Sequence, residues 1–110
     1  LVLLTSLEGH QTPPDHIEML VATQQAAWLV STPKLDLDPA PNGAGDLTAA
    51  LFLAFYLENQ QADTALARTA AAVHAVFGAT QAAGTRELAL LDAQDDILRP
   101  KQLFHARMIK

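Results

Sequence analysis

The sequence predicts an α/β fold, and three observations carry that prediction. The chain opens on a short apolar run, continues into two strand-like runs set close together, and gives its second half to two long Ala- and Leu-rich segments. Leu1 to Leu4 is continuously apolar and stops at Thr5-Ser6, as a short strand covered on both faces would. Glu8 to Asp15 places Gly9, Pro13 and Pro14 among polar residues and reads as a loop. Glu18 to Thr23 and Ala26 to Ser31 follow, separated only by Gln24-Gln25, which predicts a hairpin although Gln-Gln is a poor tight-turn pair. Pro33, Pro39 and Pro41 then interrupt regular structure as far as Asn42.

The pattern changes at Gly45. Asp46 to Glu58 is apolar nearly all round, the mark of a helix buried inside a larger body. A second helix is expected from about Ala62 to Ala82, with Leu66, Ala70, Val73 and Phe77 on one face and Gly84 as its stop. Glu87 to Leu91 reads as a strand, Asp92 to Leu98 as a helical turn, and Pro100 to Lys110 as a tail. Three or four strands are too few to cover a helix without a polar face. Its open side would form a large apolar patch unless a partner sheet lay on it. With no initiator Met and a first strand at residue 1, the chain reads as the later portion of something longer.

Composition narrows the function. A chain of 110 residues is one domain at most. A net charge of -5 with only seven scattered Lys and Arg argues against nucleic acid, whose phosphates recruit clustered cations. The absence of cysteine excludes disulfides and thiolate-held zinc. The longest apolar stretch, Leu47 to Leu57, is about half of the ~20 residues a membrane span needs, so a soluble, cytoplasmic protein without a membrane partner is expected. His10, His16, His74 and His105 share no ligand spacing, so no metal site is assigned to them. His16 and His105 read as surface residues and His74 as a helix-packing residue with some chance of lining a pocket. Trp28 reads as hairpin core, Asp92, Asp95 and Asp96 as a solvated helix start, and Ser6 has no base near it in sequence.

One segment carries chemistry: Pro41-Asn42-Gly43-Ala44-Gly45-Asp46 running into the apolar helix. The glycines let the backbone turn tightly and approach a ligand. A helix start leaves N–H groups without partners at the positive end of a dipole, which suits a phosphate. A glycine turn with Asp46 as a capping residue would give the same string. Against that plain reading stand the buried helix that follows and a delivery from a strand end, where α/β proteins place ligands.

Asn42-Gly43-Ala44-Gly45-Asp46 with the small-residue helix after it resembles the second signature of the ribokinase-like superfamily, and Asn42 to Leu53 is most similar to the pyridoxal kinases. Glu18 to Thr23 with Trp28, then Ala70 to Val76, then Glu87-Leu88-Ala89-Leu90-Leu91-Asp92-Ala93-Gln94-Asp95-Asp96-Ile97, resemble further segments of that family in the same order. The resemblance implies that residues 1–110 are the C-terminal, nucleotide-binding part of one ribokinase-like three-layer α/β/α kinase domain. It also implies ATP-dependent phosphorylation of the 5′-hydroxyl of pyridoxal, the vitamin B6 salvage step that yields pyridoxal 5′-phosphate, with Mg²⁺ accompanying ATP and a homodimer as the full-length form. Under it Asp46 is the general base that contacts the substrate hydroxyl. Gly43, Ala44 and Gly45, continuing to the Asp46 backbone, form the anion hole, and Thr5, Thr32, Pro33, Lys34 and Leu35 lie along ATP. Thr5 stands where some relatives carry Lys, and Pro41-Asn42 replaces the Asp-Thr of many sugar kinases. A hydroxymethylpyrimidine or other ribokinase-like kinase and a non-catalytic α/β fragment are the alternatives.

Overall fold

A computed structural model describes residues 1–9, 11–35, 37, 41, 43–84 and 87–110. His10, Pro39 and Asn42, named above, lie outside the described residues. Four strands, β1 (Val2–Leu7), β2 (His16–Ala22), β3 (Ala27–Pro33) and β4 (Arg107–Met108), form one antiparallel sheet in the order β1-β2-β3-β4. Helices α1 (Ala44–Asn59), α2 (Ala62–Ala83) and α3 (Gln94–Leu98) complete the described elements.

Register explains which side of the sheet is core. Leu3 pairs with Val21, Val21 with Trp28, and Met19 with Val30, so these side chains share one face. They pack with Phe52 and Phe55 of α1 and Ala65, Leu66 and Ala70 of α2. On the other face Val2 and Leu4 remain about half exposed, at 56% and 47%, so within the described chain β1 is covered on one side rather than two. Its register shifts between Leu4 and Leu7, where Ser6 takes the left-handed conformation (φ 59°).

The β2–β3 hairpin forms despite Gln24-Gln25 because Thr23 supplies what the pair lacks. The Thr23 Oγ1 accepts from the N–H groups of Gln25 (3.2 Å) and Ala26 (3.1 Å), while the Thr23 N–H donates to the Ala26 carbonyl at 2.8 Å. Pro33 closes β3, the sort of terminal position at which a strand tolerates a residue without an N–H.

Three boundaries differ from the sequence reading. Helix α1 begins at Ala44, two residues before Asp46, because Gly43 in the left-handed region (φ 84°) takes the N-cap and Leu47 N–H already bonds the Gly43 carbonyl at 2.9 Å. Glu87 to Leu91 is not a strand: residues 90–93 turn into α3, with Ala93 N–H bonded to Ala89 O at 3.2 Å. The tail is not free of structure either, since β4 pairs Met108 with Trp28 and Arg107 with Leu29. Bonds from Ala27 N–H to Lys110 O (2.9 Å) and from Ile109 N–H to Ala27 O (2.8 Å) extend that pairing. Gly84 does stop α2, at φ 68°.

Helix α2 is the centre of the core. Ala65, Leu66, Ala72 and Val76 are fully enclosed, and the buried hydroxyls of Thr69 and Thr80 donate to the carbonyls of Ala65 and Val76, each at 2.7 Å. Helix α1 packs on it through Phe52 and Phe55, with Arg68 stacked 4.1 Å above the Phe55 ring and paired with Glu58. No helix among the described residues is long and apolar enough to cross a membrane.

Candidate phosphate-binding site

The start of α1 and the exits of β1 and β3 meet at one cleft of about 220 Å³. That is slightly below the ~300–1,000 Å³ of typical ligand pockets, enough for part of a ligand. Its lining includes Thr5 and Ser6 from β1, Thr32 and Pro33 from β3, the following Lys34 and Leu35, and Ala44, Gly45 and Thr48 from α1. All five residues expected to lie along ATP therefore line this cleft, together with two of the three expected anion-hole residues. Gly43 and Asp46 flank that lining, and Asp46 is exposed in the first helical turn.

The helix entry has the electrostatics expected of it. The first intrahelical bond is donated by Leu47, so the N–H groups of Ala44, Gly45 and Asp46 precede the ladder at the positive end of α1. A Cβ at Gly45 would meet no heavy atom within 4 Å, so the space over its backbone is open. At Gly43 the constraint is conformational instead, because φ 84° is costly for any residue with a Cβ. Thr48 is buried and turns its hydroxyl back to the Ala44 carbonyl at 2.8 Å, bracing this first turn.

Lys34 is held at the cleft by two bonds to the β1–β2 loop. Its N–H donates to Asp15 O at 2.7 Å, and its Nζ pairs with Glu8 Oε1 at 2.8 Å. The hydrogen bond and then the charge of Glu8 raise its ammonium above the ordinary lysine value. Thr32 is buried with its hydroxyl 3.5 Å from the Ile17 carbonyl.

The opposite wall comes from α2. Ala70, Val73, His74 and Phe77 follow a 3-4-7 spacing and line the same cleft. The periodicity marks Ala70, Val73 and Phe77 as one helix face, but core and pocket wall have the same signature in sequence. Burial lowers the His74 pKa, so its imidazole is favoured in the neutral form. His16 is half-buried with Nδ1 3.0 Å from Pro14 O, and His105 is exposed. Among the described residues no group of three or more His, Asp or Glu could hold a metal ion.

The arrangement of a glycine helix entry beside strand-end hydroxyls, on an antiparallel sheet backed by two long helices, has counterparts among solved structures. The same fold occurs in a pyridoxal kinase of Leishmania donovani solved with ADP and pyridoxine (TM-score 0.72, 19% identity, 88% of this chain and 34% of that one). It also occurs in the Plasmodium falciparum PdxK solved with AMP-PNP and PL (TM-score 0.69, 16% identity, 98% and 37%). A Bacteroides thetaiotaomicron protein assigned as a phosphomethylpyrimidine kinase superposes with a TM-score of 0.78 at 20% identity, over 97% of this chain and 37% of that one.

Sequence then narrows the class. The chain is homologous to a segment of the curated pyridoxal kinases: it is 44% identical over 108 residues to pyridoxal kinase PdxY of Corynebacterium diphtheriae, covering 98% of this chain and 38% of the relative. It is 42% identical over 110 residues to that of Deinococcus radiodurans, covering 100% and 37%. The chain thus spans somewhat over a third of the length of the curated relatives it matches. No protein-family model matches it.

Proposed function

We propose that the chain is the C-terminal, nucleotide-binding part of a pyridoxal kinase that transfers the ATP γ-phosphoryl group to the 5′-hydroxyl of pyridoxal. One observation carries the reading. The cleft joins the open N–H groups at Ala44 and Gly45 to Thr5, Thr32 and Lys34, in a chain 44% identical over 98% of its length to a pyridoxal kinase.

Phosphoryl transfer passes through a loose transition state, so positioning and charge stabilisation dominate. The α1 N-terminus takes the charge that develops on the transferring group, with Gly43, Ala44 and Gly45 giving the backbone of the anion hole. Thr5 and Thr32 offer hydroxyl donors and Lys34 a cation along the nucleotide, while Pro33 and Leu35 give it an apolar wall. Asp46, in the first turn and open to solvent, orients the substrate hydroxyl and accepts its proton late in the transfer. Mg²⁺ is the counter-ion ATP brings. The described residues form no cage for it, and no step above depends on one. A homodimeric, cytoplasmic enzyme in the vitamin B6 salvage route completes the proposal.

The test is Asp46→Asn in the full-length protein. Pyridoxal-dependent ADP formation should fall in kcat by about 10²-fold or more, the scale of a positioned general base, with ATP binding largely retained. Near-normal kcat would remove Asp46 from the mechanism, and no pyridoxal turnover by the wild type would remove the substrate.

A further inference from the structure

Resting on the reading of Lys34 as a cation along the nucleotide, we propose that Thr12 and Glu18 are positioning residues for that lysine, acting through the segment that joins β1 to β2. A lysine ammonium sits on a flexible four-carbon stem, so ordering it costs entropy each time it meets a ligand. Here the ordering is done beforehand, from both ends of one segment. Glu8, where the segment starts, accepts from the Lys34 Nζ at 2.8 Å, and the Asp15 carbonyl, where it ends, accepts from the Lys34 N–H at 2.7 Å. Asp15 takes the left-handed conformation (φ 60°), which aspartate tolerates better than most residues. Glu8 uses one of the three ammonium donors and leaves two for phosphate oxygens.

Both contacts depend on how the segment itself is held, and Thr12 is its internal tie. The Gly9 N–H donates to Thr12 Oγ1 at 2.8 Å, and an N–H can only donate, so the hydroxyl accepts there. The proton of that hydroxyl goes to Glu18 Oε1 at 2.7 Å. Glu18 is a firm anchor, 7% exposed on a strand that pairs on both sides, with Leu7 of β1 and Ser31 of β3 as its neighbours. A polar bond at such burial is costly to leave unmade. The Glu8–Lys34 pair alone would contribute little, since both side chains are about half exposed. Its use lies in the geometry that the tie imposes on Glu8.

Steady-state kinetics of the full-length protein test this through the KM for ATP. Lys34→Met should raise it about tenfold or more, the scale of a lost charged hydrogen bond. Thr12→Val, which keeps the shape and removes the hydroxyl, should raise it about fivefold with kcat within about twofold of wild type, and Thr12→Ser should restore it. In a Lys34→Met background Thr12→Val should add less than about twofold, because its effect passes through the lysine. Glu8→Ala, at an exposed side chain, cuts the brace at its other end and should act about as strongly, so the test stands even if Thr12→Val does not fold. A normal ATP KM in Thr12→Val or Glu8→Ala, or an undiminished Thr12→Val effect beside Lys34→Met, overturns the brace and leaves the nucleotide site standing. A normal ATP KM in Lys34→Met removes the lysine from the nucleotide, and the brace falls with that part of the reading.

Discussion

Helices α1 and α2 are both built from Ala, Leu and aromatic residues, yet they stand in different environments. Helix α2 has ten buried residues over its 22 positions and touches β2, β3, α1 and α3. Helix α1 has three, Thr48, Phe52 and Phe55, while Ala49, Ala50, Leu53, Ala54 and Leu57 lie exposed along its other side. Leu53 and Leu57 are 57% and 64% exposed. Two similar compositions thus give a core helix and a half-covered one. Under the proposal that this chain is the C-terminal part of a larger kinase domain, the difference lies in how much of the surrounding fold is present; the curated relatives are more than twice as long. On that proposal, the exposed stripe of α1 and the exposed Val2 and Leu4 of β1 are the two apolar surfaces on which the rest of the domain would pack.

The largest expected effect tests that contrast directly. Leu66→Ala should destabilise the chain by about 2–5 kcal/mol, the cost of a cavity at a fully enclosed leucine. Leu53→Ala in the same chain should cost no more than about 0.5 kcal/mol, as an exposed substitution does. Urea unfolding of both variants measures the difference. Equal losses would mean that α1 is covered in solution.

Covering by a second copy of the chain is the next point to sharpen. Apolar burial is worth about 25 cal/mol per Å², so a wet leucine stripe favours association at high concentration. Replacing Leu53 and Leu57 together by Lys should shift the sedimentation of the isolated chain toward monomer without lowering its helical signal. Unaltered association would place the contact on another surface, such as the β1 face.

Sequence made some of this legible and hid the rest for identifiable reasons. The hairpin, both long helices and the Gly84 stop follow from local pattern, and so does the glycine entry to α1, because glycine next to a helix start is a local signal. Strand β4 was hidden because it is two residues long and pairs with residues some eighty positions earlier, with nothing local to mark it. The Glu87 to Leu91 run has the apolar content of a strand but makes a turn into α3. The α2 wall of the cleft was hidden for another reason. Ala70, Val73 and Phe77 have the spacing of core residues, and only the packing of α2 against β2 and β3 makes one side of them the wall of a cleft.

The smallest expected effect is a pH dependence that distinguishes the two helices once more. Helix α1 buries no titratable side chain, whereas α2 half-buries His74, whose pKa is lowered by desolvation from 6.5. At pH above 6.5 the imidazole is neutral in both folded and unfolded chains, and folding is indifferent to it. Below 6.5 the unfolded chain takes up the proton first, so stability falls with pH until the folded chain also protonates. The charged groups around this histidine come from other elements: Asp96 and Lys101 line the cavity on its far side, and Glu18 and Lys34 line the cleft. Lys34 keeps its charge through that range. Melting temperatures taken between about pH 7.5 and 5.5 should therefore decline in the wild type and decline less in His74→Phe. Parallel curves for the two proteins would mean that His74 is hydrated in solution.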